Sequence, residues 1–290
     1  MTTDPRIRAI PWRDLLTLSP AEKAWELVLS LPWLVGSLLL YQAGWPVAGA
    51  FCSFYFFLTG LRQSHGAQHY TLGVPRWVQD GVLFVLSLLM LSSMHAVQVS
   101  HMHHHRHCLD DEDAEGSTAL LPWWKALLVG PLFPLRLHRT AWALASPSLS
   151  GSNSGSNRRR WIAAEVLGVL GIVAAAMTVS DLPALRWHVA AMLIGESMTG
   201  FFAVWTVHHD CEPDGLFART QRGRWMTRIS YSMFFHAEHH LFPAVPTCRL
   251  ARLAERLDAA APEVRWPHVI PEAELDALLL ADHPGHNRMR

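Results

Sequence analysis

Eighteen histidines fall in bunches beside apolar stretches of this chain, and their spacing is that of metal ligands. His65-Gly-Ala-Gln-His69 puts two imidazoles four residues apart, which on a helix aims both at one side. His101-Met-His103-His104-His105-Arg-His107 contains an HxxHH pattern as His101, His104 and His105, and His236-Ala-Glu-His239-His240 repeats it far downstream. Positions i, i+3 and i+4 share one helical face, so on this register His103 and His107 point elsewhere, to solvent or to an outer role. A lone HxxxH also suits histidines capping an apolar helix, and the histidine-dense run also suits adventitious metal binding. The repetition is what argues for a built site. His208-His209 closes another apolar stretch and offers one further ligand; His208 is favoured because it is nearer the helical end.

Imidazole is a borderline ligand that suits Fe, Zn, Cu or Ni, so ligand type leaves the metal open. Ligand number says more. A hydrolytic zinc centre generally uses about three protein ligands and an open position, whereas eight or nine histidines imply two metals, which as a redox pair can share the electrons that activate O₂. The acidic runs Asp110-Asp-Glu-Asp113 and Asp210 to Asp214 are placed to accept the second N–H of a ligating imidazole, although such runs are more often solvated. Glu238, lying between ligands, points away.

The elements that must carry these histidines are long and apolar. Residues 24–43 and 45–61, separated by Gly44, are each close to the roughly 20 residues that span a bilayer, and 161–180 and 184–207 form a second pair around Asp181-Leu-Pro183. The stretch 77–100 could also span, but a single crossing would put the histidines at its ends on opposite faces. It therefore reads as interfacial or re-entrant. The stretch 120–137, interrupted by prolines and anchored by Trp123 and Trp124, reads the same way, although the two together could make a third hairpin. Residues 146–157 have a flexible linker's composition, and Leu250, Leu253 and Leu257 form one apolar stripe on a terminal helix.

Arg6, Arg8, Arg13 and Lys23 precede the first hairpin, Arg158 to Arg160 precede the second, and Arg219, Arg222, Arg224 and Arg228 follow it. The positive-inside bias puts both termini and all histidine groups on the cytoplasmic side. The expected fold is thus an all-α integral membrane protein of one domain, residues 1–290. Four transmembrane helices form two hairpins, joined by interfacial helices and a cytoplasmic helical cap that carries the metal site. With net charge zero and no continuous basic stripe, nothing suggests a nucleic-acid partner. Cys52, Cys108, Cys211 and Cys248 lie far apart without a CxxC pair, as reduced thiols do. The start of the chain has no signal-peptide pattern.

HGAQH, HMHHH and HAEHHLFPAVP resemble the three histidine boxes of membrane fatty-acid desaturases and the related hydroxylases and carotenoid ketolases. The match is closest over Tyr231 to Leu257, and the order of boxes and spans is similar from Ala24 onward. The resemblance implies a di-iron centre at the cytosolic surface held by His65, His69, His101, His104, His105, His208, His236, His239 and His240, with His209 an alternative to His208. It implies two Fe ions, O₂ as co-substrate, and electrons from a separate ferredoxin-like or cytochrome donor; the basic stretch Arg219 to Arg228 is, from its charge alone, the expected docking place. His283-Pro-Gly-His286 is only faintly similar to a haem-binding motif and reads as a polar tail, so no fused donor domain is expected.

The implied reaction is O₂-dependent desaturation of a fatty-acyl or other lipid-like chain. Hydroxylation or ketone formation on a lipid, carotenoid or small amphiphilic natural product is the alternative within the family, because both outcomes share the first hydrogen removal. A histidine-rich metal transporter or sensor is the alternative of another class. It would need ligands at bilayer depth along a path, whereas these cluster beyond span ends. A structural scaffold would leave the repeated boxes unexplained.

Overall fold

The computed structural model describes residues 4–146, 154–179, 182–212 and 216–270. Every extended element among them is helical, apart from an isolated bridge between Thr220 and His268. Helices α1 (Pro20–Val28) and α2 (Leu31–Gln42) run almost continuously, and α3 (Pro46–Gln68) returns alongside α2. The turn is a complete glycine cap: Gly44 takes φ 78°, its N–H donates to the Tyr41 carbonyl, and the Trp45 N–H reaches back to Leu40 at 2.9 Å. Only glycine takes that left-handed conformation without cost, which is why the two apolar runs meet there.

Helix α4 (Arg76–Met90) meets α5 (Met94–His107) at a bend of 111°. Leu91 sits at φ 62° in the break, and Ser93 caps α5 by accepting the Ala96 N–H. Short α6 (Trp123–Leu128) and α7 (Phe133–Leu144) precede two long apolar helices, α8 (Ser154–Thr178) and α9 (Pro183–Thr199). A π-helical stretch, Gly200–Trp205, extends α9 to a last α turn at Thr206–His208. The chain continues through α10 (Arg224–Ile229), α11 (His236–Leu241) and α12 (Leu250–Ala260).

Among the described residues, three helical segments are long and apolar enough to cross a membrane: Pro20–Gln42, Asn157–Thr178 and Pro183–His208. The bent pair α4–α5 makes a fourth if counted as one broken span. The stretch 45–61, expected to be a span, is the first part of α3, whose last turns become polar with Arg62, Gln63 and Gln68. The stretch 77–100 is two helices rather than one, and 120–137 divides into α6, a turn at Gly130–Leu132 and the start of α7. Of the linker expected over 146–157, residues 147–153 lie outside the described residues, and helix begins at Ser154. Asp181, Asp214 and the histidines at 283 and 286 also lie outside them.

Large apolar side chains point outward along the long helices, among them Leu39, Phe51, Leu167 and Ile194. An apolar exterior of this kind is stable facing lipid and costly facing water. Inside, Phe56, Leu83, Met90, Met94 and Met192 pack α3, α4, α5 and α9 together. The stripe Leu250, Leu253 and Leu257 is buried against Ile7, Ile10 and Leu15, so the two ends of the described chain share one core.

Candidate metal centre

Four elements deliver histidines to one place, and each is tied down by buried polar contacts close to its ligands. On α3, Arg62 makes two 2.7 Å hydrogen bonds to Glu26 of α1, with both side chains only 3% exposed. Next to it, Gln63 accepts from Ser30 and donates to the Leu27 carbonyl. These contacts fix the turn just before His65. At the start of α5, Glu165 of α8 accepts from the Ser93 hydroxyl at 2.5 Å and the His95 N–H at 3.2 Å, and its other oxygen meets His95 Nδ1. On α11, fully buried Glu238 accepts from Thr220 and Arg222 and so turns away from the imidazoles on either side of it.

The imidazoles form two adjoining groups. Five ring nitrogens, one each from His65, His69, His101, His105 and His239, lie within 4.8 Å of one another. Within that group His101 Nε2 is 3.0 Å from His69 Nε2 and 3.1 Å from His105 Nε2, and His239 Nε2 is 3.0 Å from His105 Nε2. The second group contains His104, His208 and His240, with Cys108 beside them. His236 joins it at 2.9 Å from His208 Nε2 and 3.1 Å from His240 Nε2. His105 and His240 stack across the boundary with ring centroids 4.4 Å apart.

Proton positions decide what these nitrogens can do. Nδ1 of His101 faces Glu115 at 2.9 Å, Nδ1 of His104 faces Asp113 at 2.7 Å, and Nδ1 of His208 faces the Phe217 carbonyl at 2.7 Å. A ring nitrogen opposite an acceptor carries the proton, which leaves Nε2 as a bare lone pair. Burial and then neighbouring imidazoles hold His236, His239 and His240 well below the ordinary histidine range, so these three are neutral at pH 7. His65 Nε2 is buried with no hydrogen-bond partner. Lone pairs crowded in this way repel unless a cation lies among them. The donor set, nine imidazoles in two groups, therefore fits a pair of borderline transition metals, although Asp113 holds His104 above the ordinary histidine range, so that metal must displace a proton there.

The two carboxylates behind the site differ. Burial works to raise Asp113, but the hydrogen bond with His104 prevails and holds it below the usual carboxylate range. Burial raises Glu115. Asp113 belongs to the acidic run expected to orient ligands, whereas Glu115 lies just outside it and was missed. Of the second run, Asp210 is exposed and pairs with Arg219, Glu212 is exposed, and Asp214 lies outside the described residues.

All nine histidines expected from the sequence converge, and their near neighbours do not. His209 stacks on Trp205 with centroids 4.0 Å apart and directs Nδ1 to the Trp205 carbonyl. His103 and His107 lie on the other side of α5. The buried partners Glu26, Arg62 and Glu165 were also missed, yet a signal was there, because charges inside long apolar stretches persist only when paired.

A sequence profile described as fatty acid desaturase matches residues 43–271, and the chain belongs to that family. No curated protein matches it. The resemblance read from the three histidine boxes is therefore confirmed, and the chain is a membrane oxidoreductase of a family whose centres are typically di-iron.

Proposed function

We propose that this chain is an O₂-dependent di-iron desaturase of a fatty-acyl or other lipid-like chain. The observation that carries the reading is the convergence of nine imidazoles into two adjoining groups at the ends of apolar helices. His65, His69, His101, His105 and His239 would hold one iron, and His104, His208, His236 and His240 the other. With O₂ and two electrons, paired iron supplies the oxidising power to break an unactivated C–H bond. In balance, one substrate loses two hydrogens as an alkene forms, and O₂, two electrons and two protons leave with them as two waters.

The protein's own part is positional. Asp113, Glu115 and the Phe217 carbonyl fix three ring tautomers, and Glu26, Glu165 and Glu238 hold the helices that carry the rings. Deep burial of His104, His208 and His240 keeps water away from the reacting centre. A transporter reading is disfavoured because the ligands form one closed cluster rather than a path through the bilayer.

The basic charge ahead of each hairpin supports placing both termini and the metal centre on the cytoplasmic side. Electrons would come from a separate ferredoxin-like or cytochrome donor. Of the basic stretch proposed to receive it, Arg219 and Arg222 are committed to internal partners, while Arg224 and Arg228 are exposed. Charge reversal at those two should raise the donor concentration needed for half-maximal turnover; an unchanged value would remove them from the docking surface.

The deciding experiment measures metal per chain in protein purified from iron-supplemented cells, beside His236→Ala, and then incubates it with acyl lipids, O₂ and a reducing donor. About two irons, lost in the variant, with a product two hydrogens lighter, is the expected result. A product heavier by one oxygen would make the chain a hydroxylase, and one zinc or no metal in folded protein would overturn the oxidase reading.

A further inference from the structure

We propose that the outer side of α5 carries a second, separate metal site: a surface position for a divalent cation of the zinc type, held by His103, His107 and Glu112. One ring nitrogen from each histidine and a carboxylate oxygen of Glu112 lie within 4.8 Å of one another. His103 Nε2 is 4.0 Å and His107 Nδ1 is 3.9 Å from Glu112 Oε2. None of these three residues belongs to the nine-imidazole centre.

The donor set has the right chemistry. Two imidazoles four residues apart on a helix, completed by one carboxylate, make a three-ligand site with an open position, a set that zinc accepts readily. The imidazole rings lie side by side, with centroids 4.2 Å apart and planes 16° from parallel, so the rings must turn about their side-chain torsions for both in-plane lone pairs to meet one ion. Around a tetrahedral ion the ligand atoms stand roughly 3.4 Å apart, so the Glu112 oxygen must come about half an ångström closer to each ring nitrogen. Glu112 can supply that movement because its side chain is 71% exposed and free to rotate.

The loop presenting Glu112 is fixed from the inside. Asp113 accepts the Leu109 N–H at 2.9 Å and the Gly116 N–H at 2.8 Å while it holds His104, and Asp110 accepts the Glu112 N–H at 2.8 Å. Asp110 also faces His107 Nδ1 at 2.9 Å, so a metal arriving at that nitrogen displaces its proton and gains the Asp110 oxygen as a further neighbour. The carboxylate of Glu112 is therefore delivered beside the two rings by backbone geometry that the inner site already requires.

The test uses the iron-loaded full-length protein in detergent, equilibrated with micromolar free zinc and passed over a sizing column, with zinc and iron counted in the same fractions. One zinc per chain with the iron count unchanged is expected. The double variant His103→Ala/His107→Ala should lose that zinc, binding it at least about 100-fold more weakly, and keep its iron. Glu112→Gln lies on an exposed loop position that folding does not depend on, and should weaken zinc binding about 10-fold. Zinc retained by the double variant, zinc gained only as iron is lost, zinc binding unaffected by Glu112→Gln, or no zinc uptake would each overturn the proposal. Because iron is counted alongside, failure of the di-iron reading shows separately as a starting protein without iron.

Discussion

The two sides of α5 carry the same residue type to different ends. On the inner side, His101 and His104 are buried, and each directs Nδ1 to a carboxylate so that Nε2 faces other imidazoles. On the outer side, His103 and His107 are part-exposed and stack on one another. Residues 103 and 104 are adjacent in sequence and identical in chemistry. What separates them is the buried acceptor behind the ring, which fixes its orientation, and the burial, which turns the ring inward among the other imidazoles. A ligand is made by its support as much as by its position.

The sharpest way to break this comparison is paired substitution. His104→Ala should abolish turnover and cost one iron of the pair, whereas His103→Ala should keep both irons; elemental analysis of the two variants checks it, and equal loss would refute the division. Supports should come next. Arg62→Ala leaves Glu26 charged and buried without a partner, at a cost of about 3–5 kcal/mol, measurable as a large fall in thermal midpoint in detergent.

Asp113→Asn should weaken metal binding about 10–100-fold through His104 without unfolding the chain, as read by iron retention against a chelator. Acid should act on the inner site as well. His236, His239 and His240 titrate below the ordinary histidine value, so their neutral, metal-binding form is complete above about pH 6.5. Iron retention should stay flat from neutral pH through that point and fall only well below it, where protons compete for these rings. The smallest effect belongs to His209→Ala, which removes a stacking contact on Trp205 and a hydrogen bond to its carbonyl and should cost about 0.5–1.5 kcal/mol of stability with the iron count intact.

Much of the centre was legible because helical spacing is a local property. Two HxxHH patterns and one HxxxH pattern fix which imidazoles share a face before any tertiary contact forms, and the apolar stretches between them fix where those faces lie. The break at Leu91 was not legible. The run 77–100 is mostly apolar with no proline to mark a break, and the bend is held by distant Glu165, which reaches Ser93 and His95 across 72 and 70 residues of sequence. Glu115 escaped notice for the same reason: a carboxylate one residue past an acidic run has no signature until the loop closes over His101. The choice between His208 and His209 rests on winding, which neither composition nor hydropathy encodes.

That winding has a further consequence. A π segment such as Gly200–Trp205 is equivalent to an α-helix that has absorbed one extra residue. Deleting a residue there, for example exposed Phe202, would let the helix rewind to the regular pitch with both flanks still in phase and His208 still facing the centre. Deletions inside helices are ordinarily among the least tolerated changes in a protein. This stretch is one place where chain length itself is a free variable.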